Sequence, residues 1–387
     1  MLAMGLDNKL PHFRIDLQRL DAATDLVQAT TLKNYPKLDI PFHSRWRHFV
    51  VDGQDRWAAA TKSKTWNSAQ RARAEFDLAI ISVLLDAGAG AHWRYRDPIT
   101  GTSIGRSEGL AIASLAMFLG GAFSSNPDEP QRADAQALVQ LSLDQLRAGL
   151  QVSDSNPLDG IEGRLNLLRA LGNAVVTMPA IFGAEDSPRP GGLFDRLAVL
   201  ASNGSIAAPT ILAELLHHLR SIWPSRLMLG GIPLGDCWKH PAIAAADATD
   251  GFVPLHKLSQ WLAYSLIEPL QTAGILVTDI DGLTGLAEYR NGGLFVDTGV
   301  VAFRNPSDSG RDHDVASDLV VEWRALTVAL LDRLADSLRR RLGLDAKSLP
   351  LARVLEGGTW SAGRSIARER RANGSPPIKV VSDGTVF

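Results

Sequence analysis

The stretch from Asp279 to Gly299 places four carboxylates, Asp279, Asp281, Glu288 and Asp297, with Tyr289, Arg290 and five glycines in 21 positions. Carboxylates at this density suit acid–base or nucleophilic work at a glycosidic carbon, where positive charge develops at the reacting atom. Leu283, Leu286, Leu294, Phe295 and Val296 are apolar enough to hold the stretch against a core, and catalytic loops are mounted in that way. The plain alternative is a turn-rich connection with Asn291-Gly292 as a tight turn. Residue types alone leave the two readings evenly balanced.

Two further segments interleave cations with aromatics. His43, Arg45, Arg47 and His48 alternate with Phe42, Trp46 and Phe49, and Trp93-Arg94-Tyr95-Arg96 repeats the pattern. Arginine forks pair with phosphate or carboxylate. A phosphorylated sugar derivative would use both chemistries, carboxylates at the reacting carbon and cations at the phosphate. No H-E-x-x-H, Walker or G-x-G-x-x-G pattern occurs, so zinc and nucleotide-loop readings find no motif. His43, His48, His240 and His256 are scattered along the chain, and neither a metal nor a resident cofactor is expected. His217-His218 would face about 100° apart on a helix and reads as structural.

The elements that must carry these residues are mostly helical. Leu17, Leu20, Leu26 and Val27 predict a helix that ends before Tyr35-Pro36. Residues 74–86 read as a buried helix stopped by Gly88 and Gly90. Ser107 predicts an N-cap for a helix through Leu110, Leu115 and Phe118. Asp159-Gly160 opens another with Leu165, Leu168 and Leu171. Residues 208–223 and 256–267 have helical spacing. Asp314 predicts the cap of a long helix whose face carries Leu319, Trp323, Leu326 and Leu330, with Gly343 as its stop. Pro376 to Val381 is a short strand. No β-α-β alternation appears, so the fold class is mostly α with a few short strands. Residues 1–40 read as an N-terminal helical extension and 41–387 as a single large helical catalytic domain, with 183–192 its most loop-like internal stretch.

Composition bounds the rest. The chain has 387 residues, 45% hydrophobic and 21% charged, as a folded globular protein does. With 40 basic and 42 acidic residues the formal charge is −2, so no nucleic-acid footprint is expected. The lone Cys237 allows no internal disulfide and reads as inert packing; with no signal-peptide pattern the expected location is the cytoplasm. No apolar run reaches the ~18 residues of a membrane span.

A resemblance sharpens this picture. Leu84-Leu85-Asp86-Ala87-Gly88-Ala89-Gly90, Trp93-Arg94-Tyr95-Arg96, Arg106-Ser107-Glu108-Gly109-Leu110, Leu283-Thr284-Gly285-Leu286, Glu288-Tyr289-Arg290-Asn291-Gly292-Gly293-Leu294 and Glu356-Gly357-Gly358-Thr359-Trp360 resemble a protein family of the uracil-catabolism (Urc) pathway. The resemblance runs from about His43 to Phe387; Ala287 stands where Pro is expected. That family works beside a GTP-cyclohydrolase-II-like protein and uracil phosphoribosyltransferase. It implies a pathway in which uracil becomes its ribonucleotide and is ring-opened, releasing urea and a three-carbon acid. A ribosylurea-type intermediate needs its C1′–N bond cut, which makes a phosphoribosyl-urea hydrolase a natural role.

The chain is also distantly similar to the queuosine-salvage nucleosidases, which are helical and DNA-glycosylase-like. Leu85-Asp86-Ala87, Trp93, Lys257-Leu258-Ser259-Gln260 and Glu288-Tyr289-Arg290 follow in that family's order, with Glu288 where the family has Asp. Carried over, the resemblance makes Glu288 the catalytic group, and the carboxylate-rich stretch around it offers Asp281 or Asp297 as second carboxylate. Arg290, Tyr289, Lys257, Gln260, Arg45, Arg47, His43, His48, Trp93 and Arg94 are the expected substrate-binding residues. The expected partner is a small phosphorylated riboside, with contact to other uracil-catabolism enzymes, and neither nucleic acid nor membrane. Two alternatives stay open: a metal-dependent amidohydrolase using His43, His48, His240 and His256 with Asp281, and a non-catalytic pathway partner.

Overall fold

The computed structural model describes residues 1–90, 92–183, 188–224 and 227–381. Helices dominate, and the described strands form seven two-stranded pairs, so the chain is mostly α. Among the described residues no helix is long and apolar enough to cross a membrane. The chain forms two compact units. One comprises Met1–His43, the described part of Arg226–Gln260, and Ile280–Val381; the other comprises the described parts of Ser44–Ser225 and Trp261–Asp279. Residues 1–40, expected as an extension to a single domain over 41–387, lie in the first unit.

In the first unit the Leu20–Asn34 helix packs on the long Asp318–Leu342 helix. Leu319, Val320, Trp323, Leu326, Leu330 and Leu334 of the long helix are buried, which follows from their recurrence on one helical face. Asp314 does not cap it. Ser317 does, accepting from the Val320 amide, while Asp314 sits in a strand paired with Lys379–Val381. Gly343 ends the helix in the left-handed conformation at φ +67°, as its lack of Cβ allows. The Tyr289–Asp297 helix packs between the long helix and Trp360–Arg370. A π-helical turn, Leu355–Thr359, precedes the latter, and its Gly358 lies so close to Val27 and Thr31 that a Cβ would not fit.

The second unit is built on Ser68–Leu84. This helix starts at a capping box made by Asn67 and Gln70, six residues before its apolar run. Phe76, Leu78, Ile80, Ile81 and Val83 are buried against the Arg106–Leu119 and Leu193–Leu200 helices. Asp77 is buried within it and holds a neighbouring loop, accepting from the Ala133 amide at 2.9 Å and from Arg189. Ser205–Ala207 and Leu276–Thr278 pair in parallel. Residues 184–187 of the expected loop stretch lie outside the described residues.

Candidate functional site

Glu288 precedes the Tyr289–Asp297 helix as its N-cap. One carboxylate oxygen accepts from the Arg290 amide and the other from the Asn291 amide, each at 2.6 Å. These are two of the amides a helix start leaves without intrahelical partners. Glu288 is 8% exposed. Burial raises its pKa above the usual Glu range, against the two amides and the positive charges of Lys257 and Arg290. The result is a fixed carboxylate in a low-dielectric setting, with a cation acting on it.

The expectation of a tight turn at Asn291-Gly292 is corrected: both, with Gly293, are inside the helix. Gly292 is required by packing, since a Cβ there would meet the Trp323 side chain at 2.6 Å. Gly293 is less constrained: a Cβ there would make a tight contact with Pro377 at 3.1 Å. Two glycines in sequence signal a turn only when the backbone, rather than a close neighbour, demands them.

The helix start is tied to a second one. Lys257 begins the Lys257–Thr272 helix, and its amide donates to the Asp236 carboxylate at 2.8 Å. Arg324 grips Asp236 with two hydrogen bonds of 2.8 Å and donates from Nε to the Ala287 carbonyl at 3.2 Å. One guanidinium thus joins the residue before Glu288 to the carboxylate before Lys257. Trp238 also donates to Asp236, at 2.6 Å. Against the desolvation of its burial, Arg324 and these donors hold Asp236 at a pKa of about 2. Gln260 adds a third tie, accepting from the Thr284 amide at 3.2 Å. His256, just before Lys257, holds a left-handed φ of +48°, a conformation non-glycine residues keep only under constraint.

Asp281 and Asp297 are not brought to Glu288. Asp297 ends the helix that Glu288 begins, about 13 Å away by the rise per residue. Arg371 holds both its oxygens, at 2.8 and 2.6 Å. Asp281 accepts from Arg339 at 2.5 Å and from the Leu351 amide at 2.6 Å. Both carboxylates fasten elements together. Arg290 is buried, donates to the Gly374 carbonyl at 3.0 Å and lies over the Tyr289 ring at 4.9 Å. His43 is buried and pairs with Glu356 at 2.7 Å, whose other oxygen accepts from Tyr35 at 3.1 Å.

Arg45, Arg47, His48, Trp93 and Arg94 belong to the second unit. Neither Arg45 nor Arg47 is an open cation: Arg45 pairs with Asp86 at 2.9 Å, and Arg47 with Glu268. Arg45 Nη1 is 3.2 Å from His48 Nδ1. Trp93 is fully buried, donating to the Leu150 carbonyl at 2.9 Å, so it fills core rather than walling a site. Arg94 is exposed on a strand paired with Ser103–Gly105 and donates to the Trp93 carbonyl at 2.7 Å.

The four histidines of the amidohydrolase alternative are dispersed. His43 meets Glu356, His48 adjoins Arg45, and His240 lies 3.4 Å from Glu322, while burial lowers the pKa of His256. Among the described residues no three His, Cys, Asp or Glu side chains converge as metal ligands. Cys237 is buried, with its thiol pKa raised by desolvation.

Asp236 and Arg324 escaped the sequence reading. Their signal was present: Arg324 and Glu322 interrupt the buried face Leu319, Val320, Val321, Trp323, Leu326, and charges there require partners.

The family described as Protein of unknown function (DUF1688) matches residues 1–387. Uracil catabolism protein 4 of Lachancea kluyveri is 38% identical over 98% of this chain and 93% of its own length. Protein urg3 of Schizosaccharomyces pombe is 39% identical over 100% of this chain and 95% of its own. The chain belongs to the DUF1688 family, whose relatives here include a uracil-catabolism protein.

Proposed function

We propose that this DUF1688 member is a hydrolase of uracil catabolism that cuts the C1′–N bond of a phosphorylated ribosylurea. The observation that carries the reading is Glu288: a buried carboxylate, fixed by two main-chain amides, with the charge of Lys257 acting on it. Carboxylates so placed stabilise an oxocarbenium-like centre without reorganising. In the reaction the C1′–N electron pair leaves with the urea nitrogen. Water adds its oxygen to C1′, and one water proton ends on the released urea. Glu288 faces the positive charge at C1′, and Lys257 holds the phosphate. Asp236, Arg324 and Gln260 are positioning residues, since they act through the two helix starts.

The helical content and the order of the Leu85-Asp86-Ala87, Lys257-to-Gln260 and Glu288-Tyr289-Arg290 motifs support a DNA-glycosylase-like fold as part of the same reading. A cytoplasmic location and contact with other enzymes of the pathway also belong to it. The deciding assay incubates the protein with ribosylurea 5′-phosphate and measures free urea. Release that falls sharply in Glu288→Gln supports the assignment. No release from wild type, or release unchanged in the variant, defeats it.

A further inference from the structure

The second unit holds a polar group that the Glu288 chemistry does not use. It lies where the Ser68–Leu84 helix gives way to the Asp86–Gly90 loop. Arg45 is fully buried there. Its Nε donates to Ser82 Oγ at 2.7 Å, and its Nη1 donates to Ser107 Oγ at 3.0 Å and lies 2.9 Å from Asp86 Oδ2. Ser107 Oγ donates to the same Asp86 oxygen at 2.8 Å and is 3.1 Å from His48 Nδ1. Arg45 Nη2 is buried with no hydrogen-bond partner. The other Asp86 oxygen accepts from no described residue.

The surroundings hold this group rigidly. Arg164 is fully buried and donates to the carbonyls of Leu85, Ala87, Gly88 and Asp159, fixing the loop on both sides of Asp86. Burial lowers the Arg164 pKa to about 10, with Asp86 and Asp159 opposing. Arg106 holds a left-handed φ of +59° immediately before Ser107. Ser107 was expected to cap its helix; Gly105 holds that position, and the Ser107 hydroxyl is turned to Asp86 instead. Strain and buried charge concentrated around one carboxylate exceed what closing a helix end requires.

The charges decide what fits. Arg45 and Asp86 cancel, so a phosphate would set its charge against Asp86 and a cation would meet Arg45. What remains is one N–H donor and one carboxylate acceptor on a neutral pair. A planar group with a carbonyl beside an N–H satisfies both at once. We propose that Arg45 and Asp86, with Ser107 and His48 beside them, form a binding site for a neutral amide-type edge of the ureido or imide class. Asp86, Ser107 and His48 are the half-buried members of the group, and Arg45 lies fully buried behind them. The assignment is independent of the role given to Glu288.

Titration calorimetry on the full chain tests it, with uracil and N-methylurea as the carbonyl–N–H probes. The control 1,3-dimethyluracil keeps its carbonyls but has no N–H, and inorganic phosphate probes for an anion site. The expected result is saturable binding of both N–H probes in mutual competition, with no displacement by dimethyluracil or phosphate. Asp86→Asn should weaken binding at least tenfold and Ser107→Ala several-fold, with circular dichroism reporting the fold of each. If Asp86→Asn does not fold, Ser107→Ala decides. Absence of saturable binding to wild type overturns the proposal. So does unchanged affinity in the folded variants, equal binding of dimethyluracil, or displacement by phosphate.

Discussion

The Tyr289–Asp297 helix carries an acid at each end, and the two are held in opposite ways. Asp297 meets the Arg371 guanidinium with both oxygens. Its charge is neutralised by a dedicated partner, so it has little left to offer a substrate. Glu288 is held by main-chain amides, which orient the group without supplying a full positive charge. Burial then leaves it under electrostatic tension, visible as its raised pKa. Two carboxylates of one stretch and one helix therefore differ in capacity. A second carboxylate across a glycosidic bond lies about 5–9.5 Å from the first, and Asp297 lies beyond that range.

The largest effect is expected where the Glu288 end is anchored. Asp236→Asn leaves the buried Arg324 cation without its partner and should destabilise the fold by about 3–5 kcal/mol, read by guanidinium denaturation. Its pH dependence follows from the sign of the shift. Asp236 titrates at about 2 when folded and at about 3.9 when unfolded. Its stabilisation is complete above the unfolded value and is lost as pH falls towards the folded one. The Asn variant should lack that acid limb; an unchanged limb would mean that other carboxylates produce it.

Glu288→Gln should lower urea release by about 10²–10³-fold, while the weakened cap costs only about 1 kcal/mol. Turnover within threefold of wild type would erase the contrast between the helix ends. The pH profile of kcat/KM sharpens the same point. Because burial raises the Glu288 pKa and the carboxylate is the working form, activity should fall on an acidic limb above the ordinary Glu value of ~4.3. That limb should vanish in Glu288→Gln.

Lys257→Met should raise KM for the phosphorylated substrate about tenfold, the weight of one charge-assisted contact of about 1.4 kcal/mol. Unphosphorylated ribosylurea should change less; equal loss for both would remove Lys257 from the phosphate. The smallest effect belongs to Asp297→Asn: turnover within threefold of wild type and about 1 kcal/mol of stability. A hundredfold loss there would restore Asp297 as the second catalytic carboxylate.

Much of the fold was legible in the residues. Periodic leucines on the long helix, the Gly343 stop and the buried run near Phe76 follow from local rules that need no tertiary partner. The N-caps were less legible: Asp314 and Ser107 are good cap types, yet Ser317 and Gly105 hold those positions. Cap chemistry is degenerate over a few residues, and a hydroxyl turns to whichever partner the fold supplies. The candidate site was legible at Glu288, Lys257 and Gln260 through family resemblance. Asp281, Asp297 and Arg47 are candidates by residue type, and side-chain type does not reveal whether a neighbour already neutralises a charge.

Sequence alone determined that this chain is helical, that it belongs with a uracil-catabolism family, and which stretch concentrates its carboxylates. Tertiary structure alone decided which carboxylate is clamped by a cation and which is held by main-chain amides. Periodicity and motif order are written along the chain. Desolvation of Glu288, the Arg324 clamp on Asp236 and the Arg371 clamp on Asp297 arise between segments far apart in sequence, and the balance of burial against pairing that sets a carboxylate's reactivity exists only once those segments meet.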